Sequence, residues 1–106
     1  MQFLVLSHRY DDRFSPDDYA AHLPAETRRV RELYARGVIQ QIWLRGDLAG
    51  AAFLVTARSL REARAAVDSL PLARLRMSDF SVIPLHPYRG FGPDEGSPAT
   101  AGGAPA

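Results

Sequence analysis

Four short apolar segments and two capped helical ones, in the order β-α-β-β-α-β, leave this chain few ways to fold. Gln2 to Arg9 is an apolar stretch of strand length, ended by the turn-like Tyr10-Asp11-Asp12-Arg13. Ser15-Pro16-Asp17-Asp18 then supplies an N-cap, a proline at the first helical position and two acids in the first turn. A helix is expected from there to Arg36, with Gly37 as its stop, and Pro24 inside it predicts either a kink or a restart. Val38 to Arg45 and Ala51 to Ala57 read as strands joined through the turn formers Gly46 to Gly50. Ser59-Leu60-Arg61-Glu62 is a capping box that opens a second helix, with Leu60, Ala63, Val67 and Leu70 inward and Pro71 beyond its end. A fourth strand spans Ser78 to Leu85, where Pro84 suits an edge or a strand end.

That order predicts an α+β, ferredoxin-like sandwich: a four-stranded antiparallel sheet with both helices on one face. The strands are apolar on both parities, Phe3 and Val5 against Leu4 and Leu6, Phe53 and Val55 against Ala52 and Leu54. Both faces should therefore be covered, and a second copy of the chain is the simplest cover for the helix-free one. A homodimer or larger ring through the sheet face is expected. At 106 residues the chain holds one ordinary core. Residues 92 to 106 carry mainly Gly, Pro, Ala and short polar or acidic side chains with no large apolar one, so a folded domain over 1 to 91 and a disordered tail over 92 to 106 are predicted.

Composition removes several kinds of chemistry. Cysteine is absent, which excludes disulfides, thiolate metal sites and thiol nucleophiles. All thirteen basic residues are Arg, and a chain without Lys forms no Schiff base. A net charge of +1 gives no field that favours nucleic acid or an acidic membrane surface. No apolar run approaches the length of a membrane span, and Met1 leads straight into a strand without a basic leader, so a cytoplasmic protein is expected. Phosphate loops, dinucleotide fingerprints, zinc spacings and Ser-His-Asp patterns are missing, and no cofactor is expected.

One residue breaks the pattern of the first helix. Tyr19, Leu23, Glu26, Val30, Leu33 and Tyr34 recur at spacings of three and four on one face, so a carboxylate occupies a place suited to Leu. Such a group is paired, protonated or used, because an unpaired buried carboxylate costs several kcal/mol. Pairing with His22, Arg29 or another Arg at the helix edge is one reading; service as an acid or base, with His22 one turn away to orient it or relay its proton, is the other. Burial would raise its pKa, while a helix restarted at Pro24 would put it in a first turn whose dipole opposes the rise. His8, at the end of the first strand, is placed to reach the same cleft, whereas His86 falls at the opposite end of the sheet, which argues against a three-histidine metal site. Trp43 and Arg45 alternate onto one side of the second strand with Ile39 and Gln41. Trp43 could stack on a planar ligand and Arg45 could hold a carboxylate or enolate, while Tyr19 and Tyr34 could donate hydrogen bonds from the helix stripe.

Over residues 2 to 90 the chain resembles the muconolactone isomerase family of small dimeric α/β-barrel proteins. The resemblance rests on Glu26 in the first helix, the Gly37 that ends it, Trp43 in the second strand, and Leu70-Pro71-Leu72 followed by Met77, Val82, Pro84-Leu85 and Pro87. It implies an active-site role for Glu26 and Trp43. The expected function is a cofactor-independent isomerase or cyclase that moves a proton on a small unsaturated lactone, enol or aromatic polyketide-type metabolite. Glu26 and His22 are the catalytic candidates; His8, Tyr19, Tyr34, Trp43 and Arg45 would bind the ligand. The alternatives are a cofactor-free monooxygenase of an aromatic polyketide and a non-catalytic small-molecule-binding accessory protein. Residue pattern leaves open whether the pocket lies between helices and sheet or within the intermolecular barrel.

Overall fold

The computed structural model describes residues 1–91; the tail expected over 92–106 lies outside the described residues. Strand β1 (Gln2–Arg9) pairs antiparallel on both sides, with β3 (Ala51–Thr56) from Gln2↔Thr56 to Leu6↔Ala52 and with β4 (Ser78–Leu85) along its whole length, from Gln2↔Leu85 to Arg9↔Ser78. Strand β2 (Ile39–Leu44) adds to β3, giving the sheet order β2-β3-β1-β4. Both long connections leave and return on one side of this sheet, which is the ferredoxin-like arrangement that the element order demanded. Pro84 lies on the edge strand β4, where no outer neighbour needs its missing N–H.

Helix α1 (Pro16–Ala35) begins with a full capping box, in which Ser15 Oγ accepts from Asp18 N–H and the Asp18 carboxylate accepts from Ser15 N–H. It ends in a Schellman motif: Val38 N–H reaches Leu33 C=O and Gly37 N–H reaches Tyr34 C=O, with Gly37 at φ 77°. Pro24 neither restarts nor divides the helix; it sits exposed on the outer side. Glu26 is thus in mid-helix, and the N-terminal dipole no longer bears on it.

Helix α2 (Leu60–Asp68) is capped by Ser59 Oγ on Glu62 N–H, but the Glu62 carboxylate goes back to the Arg58 backbone N–H and guanidinium rather than to Ser59. Leu60, expected inward at the first position of this helix, is instead half-exposed, whereas Ala63, Val67 and Leu70 are buried. Pro71 does not merely follow a helix. It starts a further short one, α3 (Pro71–Arg74), which closes in a second Schellman motif with Arg76 in the left-handed region at φ 56°. A non-glycine residue there costs about 1 kcal/mol relative to glycine. A 3₁₀ turn at Arg89–Phe91 ends the described chain.

The core lies between helices and sheet. Phe3 and Val5 of β1, Phe53 and Val55 of β3, Ile39 of β2 and Phe80 of β4 meet Tyr19 and Leu33 of α1 and Val67 of α2. Each fully buried Phe, Leu, Ile or Val contributes about 1.5–3 kcal/mol by leaving water. Tyr34, expected on this inward stripe, is instead 63% exposed. It follows Leu33, and one residue turns a helix by about 100°, enough to carry the ring off the packed side.

Candidate active site

One extra residue in β2 decides which side chains can meet. Ile39 faces Val55 and Gln41 faces Leu54, so Gln40 is a β-bulge with no partner of its own. Past it the parity reverses: Ile39, Ile42 and Leu44 lie on the helix-covered side, opposite Val55, Phe53 and Ala51, while Gln41 and Trp43 lie on the bare side. The expectation that Ile39, Gln41, Trp43 and Arg45 share a side is therefore corrected. Trp43 is 50% exposed on the helix-free face, away from Glu26.

Between α1, α3 and the helix-covered side of the sheet lies a cavity of about 400 Å³. Its walls are mostly apolar, formed by Val30, Ile42, Phe53, Leu70, Leu72 and Phe80. Leu23, Leu44 and Leu48 also line it and are themselves exposed, so they form its rim. The polar groups on its wall are few: Ser7, Arg9, Glu26, Thr27, Arg45 and Ser78, besides backbone of the β2–β3 connection. That connection comes very close to β1, and a Cβ on Gly50 would collide with the Ser7 carbonyl. Ser7 Oγ accepts from Ala51 N–H at 2.9 Å, which fixes this side of the cavity.

Glu26 reaches the cavity from the middle of α1. Its Oε1 accepts from Leu72 N–H at 3.0 Å, one of the first amides of α3, a helix whose N-cap, Leu70, has no side chain able to serve it. The second oxygen, Oε2, makes no hydrogen bond among the described residues. Burial raises the pKa of this carboxyl above its ordinary value; the Leu72 N–H and the charge of Arg9 act against the rise without cancelling it. Neither His22 nor Arg29 is its partner. Arg29 binds Ser69 Oγ and Glu32, and His22, although half-buried, makes no hydrogen bond or ion pair among the described residues and does not line the cavity.

The other expected site residues separate. His8 points to the bare side of the sheet, 3.8 Å from Asp79, with its ring edge-on to Tyr10. Tyr19 is buried beside the cavity but not on its wall; its hydroxyl donates to Met77 C=O at 2.6 Å and is unavailable to a ligand. Tyr34 is at the surface. Arg45 does line the cavity, yet its guanidinium is forked onto Asp47 (3.0 and 2.8 Å) and donates to Ser7 C=O, so its donors are largely taken. Of the seven candidates, Glu26 and Arg45 come together. The residue missed is Arg9, and its signal was the two-residue period of β1: Phe3, Val5, Ser7 and Arg9 share a side, and His8 cannot.

No protein-family sequence model and no curated protein sequence matches the chain. Solved structures do. A muconolactone isomerase superposes with a TM-score of 0.69 at 17% identity, over 83% of this chain and 91% of that one. A 5-chloro-2-hydroxyhydroquinone dehydrochlorinase from Burkholderia phenoliruptrix, in complex with 2,5-dihydroxybenzoquinone, superposes with a TM-score of 0.58 at 21% identity, over 81% and 94%. Strand order, the single layer of helices and the extent of both overlaps agree: this chain has the α+β fold of muconolactone isomerase.

Proposed function

We propose that this protein is a cofactor-independent isomerase, or a cyclase working by the same proton transfer, on a small unsaturated lactone, enol or aromatic polyketide-type metabolite, with Glu26 as the base. One observation carries the reading: a half-buried carboxylate on the wall of a largely apolar cavity, with one oxygen fixed by a backbone amide and the other without a hydrogen bond among the described residues. The cavity's volume suits a small metabolite. Oε2 removes a proton from a carbon next to a carbonyl, the electron pair spreads into a conjugated oxyanion, and the protonated carboxyl, open to exchange with solvent, delivers a proton to another carbon of that system. One C–H bond breaks, one forms and the double bond moves. The raised pKa brings the base nearer to working pH, and the Leu72 amide keeps it from swinging out of line. Both structural neighbours bear the names of enzymes, an isomerase and a dehydrochlorinase, whose reactions fit an initial proton abstraction, which supports the class of step and not the substrate.

The oxygenase alternative needs Trp43, His8 and tyrosines around the ligand. None of them lines the cavity, so no observation favours it. The same reading puts a second copy of the chain on the bare sheet face, where Leu4, Leu6 and Leu54 are half-buried and Trp43 and Ile83 are exposed.

The test is hydrogen exchange in deuterium oxide with muconolactone and a panel of related unsaturated lactones and enols, comparing the native chain with Glu26→Gln. The carboxamide of that variant keeps an oxygen for the Leu72 amide, so folding should persist while exchange and turnover fall roughly 10²- to 10⁴-fold. Near-native exchange in the variant, or none in the native chain across the panel, would overturn the assignment. Binding without exchange would favour the accessory-protein alternative.

A further inference from the structure

Arg9 closes β1 on the helix-covered side and lines the cavity that Glu26 enters. Its guanidinium lies 4.6 Å from the centroid of the Tyr19 ring, which holds the group against the wall. Among the described residues it forms no ion pair with any acid and its side chain makes no hydrogen bond, although its charge is felt at Glu26. Among the described residues, a planar five-donor cation is thus presented to the cavity from the sheet without a hydrogen-bond acceptor, while a carboxylate with which it forms no pair enters the same cavity from α1. Arg45 is the contrast, since Asp47 already fills its fork. Had Arg9 existed to balance Glu26, the two would be paired; they are held apart with ligand-accessible space beside both.

We propose that Arg9 anchors a planar oxyanion of the ligand, a carboxylate or an enolate oxygen, and so selects anionic small molecules and turns their reactive C–H toward Glu26. This rests on the cavity being the ligand site. The arrangement also answers a difficulty of the mechanism: a carboxylate base repels an anionic ligand, and a cation lining the same cavity is what lets the two share it. Once the ligand's charge is matched to Arg9, the cation no longer weakens the base, so the group that binds the substrate also readies Glu26 for it.

Two probes of the same size separate charge from shape: benzoate and benzamide, titrated calorimetrically into the full chain at neutral pH. Benzoate is expected to bind roughly tenfold more tightly than benzamide, as a charge-assisted bidentate pair requires. Arg9→Gln should level the two, Arg9→Lys should restore part of the preference, and Glu26→Gln should keep or enlarge it while losing turnover. Anion preference and proton transfer therefore fail separately: an Arg9→Gln chain that still prefers benzoate overturns the anchor and leaves the base intact. Equal binding of both probes to the native chain, or no binding of benzoate, also overturns it, and that comparison needs no variant to fold.

Discussion

The two faces of the sheet carry comparable apolar residues and opposite polar logic. On the helix-covered face, β1 contributes Phe3, Val5, Ser7 and Arg9, and the polar members end up around a cavity with Glu26. On the bare face, the same strand contributes Leu4, Leu6 and His8, joined by Trp43, Leu54 and Ile83, with a polar pair, His8 against Asp79, displaced to the strand end. A pocket needs walls that are already present within the chain, and α1 and α3 supply them on one side only. The other side offers a broad apolar surface, which is the character of an interface. The division that follows from our reading confines chemistry to the covered face and association to the bare one.

Four experiments can break or sharpen that division. Glu26→Gln should produce the largest effect, a roughly 10²- to 10⁴-fold loss of turnover measured on a lactone substrate, with native circular dichroism. Trp43→Ala should instead leave the cavity and its benzoate binding alone and weaken self-association by roughly tenfold or more in sedimentation equilibrium, since large exposed aromatics are where interface energy concentrates; a loss of turnover in a still-associated Trp43→Ala chain would put the tryptophan back in the site. Glu26→Ala, unlike Glu26→Gln, removes the acceptor of the Leu72 amide and should lower stability in denaturant unfolding by about 1–2 kcal/mol.

The smallest effect is in pH. Glu26 acts as a base only when ionised, so kcat/KM should fall as pH drops through its raised pKa, above the ordinary glutamate value, and in Arg9→Gln the midpoint should move further up because a cation that opposes the rise is gone. Stability has the opposite sign. The folded chain holds this proton more tightly than the unfolded one, so the contribution of Glu26 is fully present below the unfolded pKa and is lost as pH rises through the folded one. Glu26→Gln should flatten that part of the unfolding profile.

Much of the architecture could be read from local chemistry. The Ser15 N-cap, the Gly37 stop, the run from Gln2 to Arg9 and the span from Ser78 to Leu85 all rest on interactions within a few residues, and all appear where the sequence puts them. Glu26 was visible for the same reason, as a charge on a helical stripe. What surrounds it was not. The Leu72 amide is forty-six residues away and belongs to a helix of four residues, too short to leave a periodic signature. Trp43 was misplaced because a single bulge at Gln40 reverses every later side chain of β2, and bulges follow from how neighbouring strands twist and pack. Arg9 lies between these cases: its parity was legible, but not that its guanidinium has no acid or hydrogen-bond acceptor among the described residues.

From its residues alone, this chain determined its four strands, its two longer helices and their order, and hence the ferredoxin-like arrangement, since capping, turn chemistry and hydrophobic period act over short stretches, while α3 went unread. Only the tertiary structure decided that Glu26 and Arg9 share a cavity while Trp43 and His8 stand on the other face, because burial, unmet hydrogen-bond donors and the raised pKa of one carboxyl depend on which distant segments pack together.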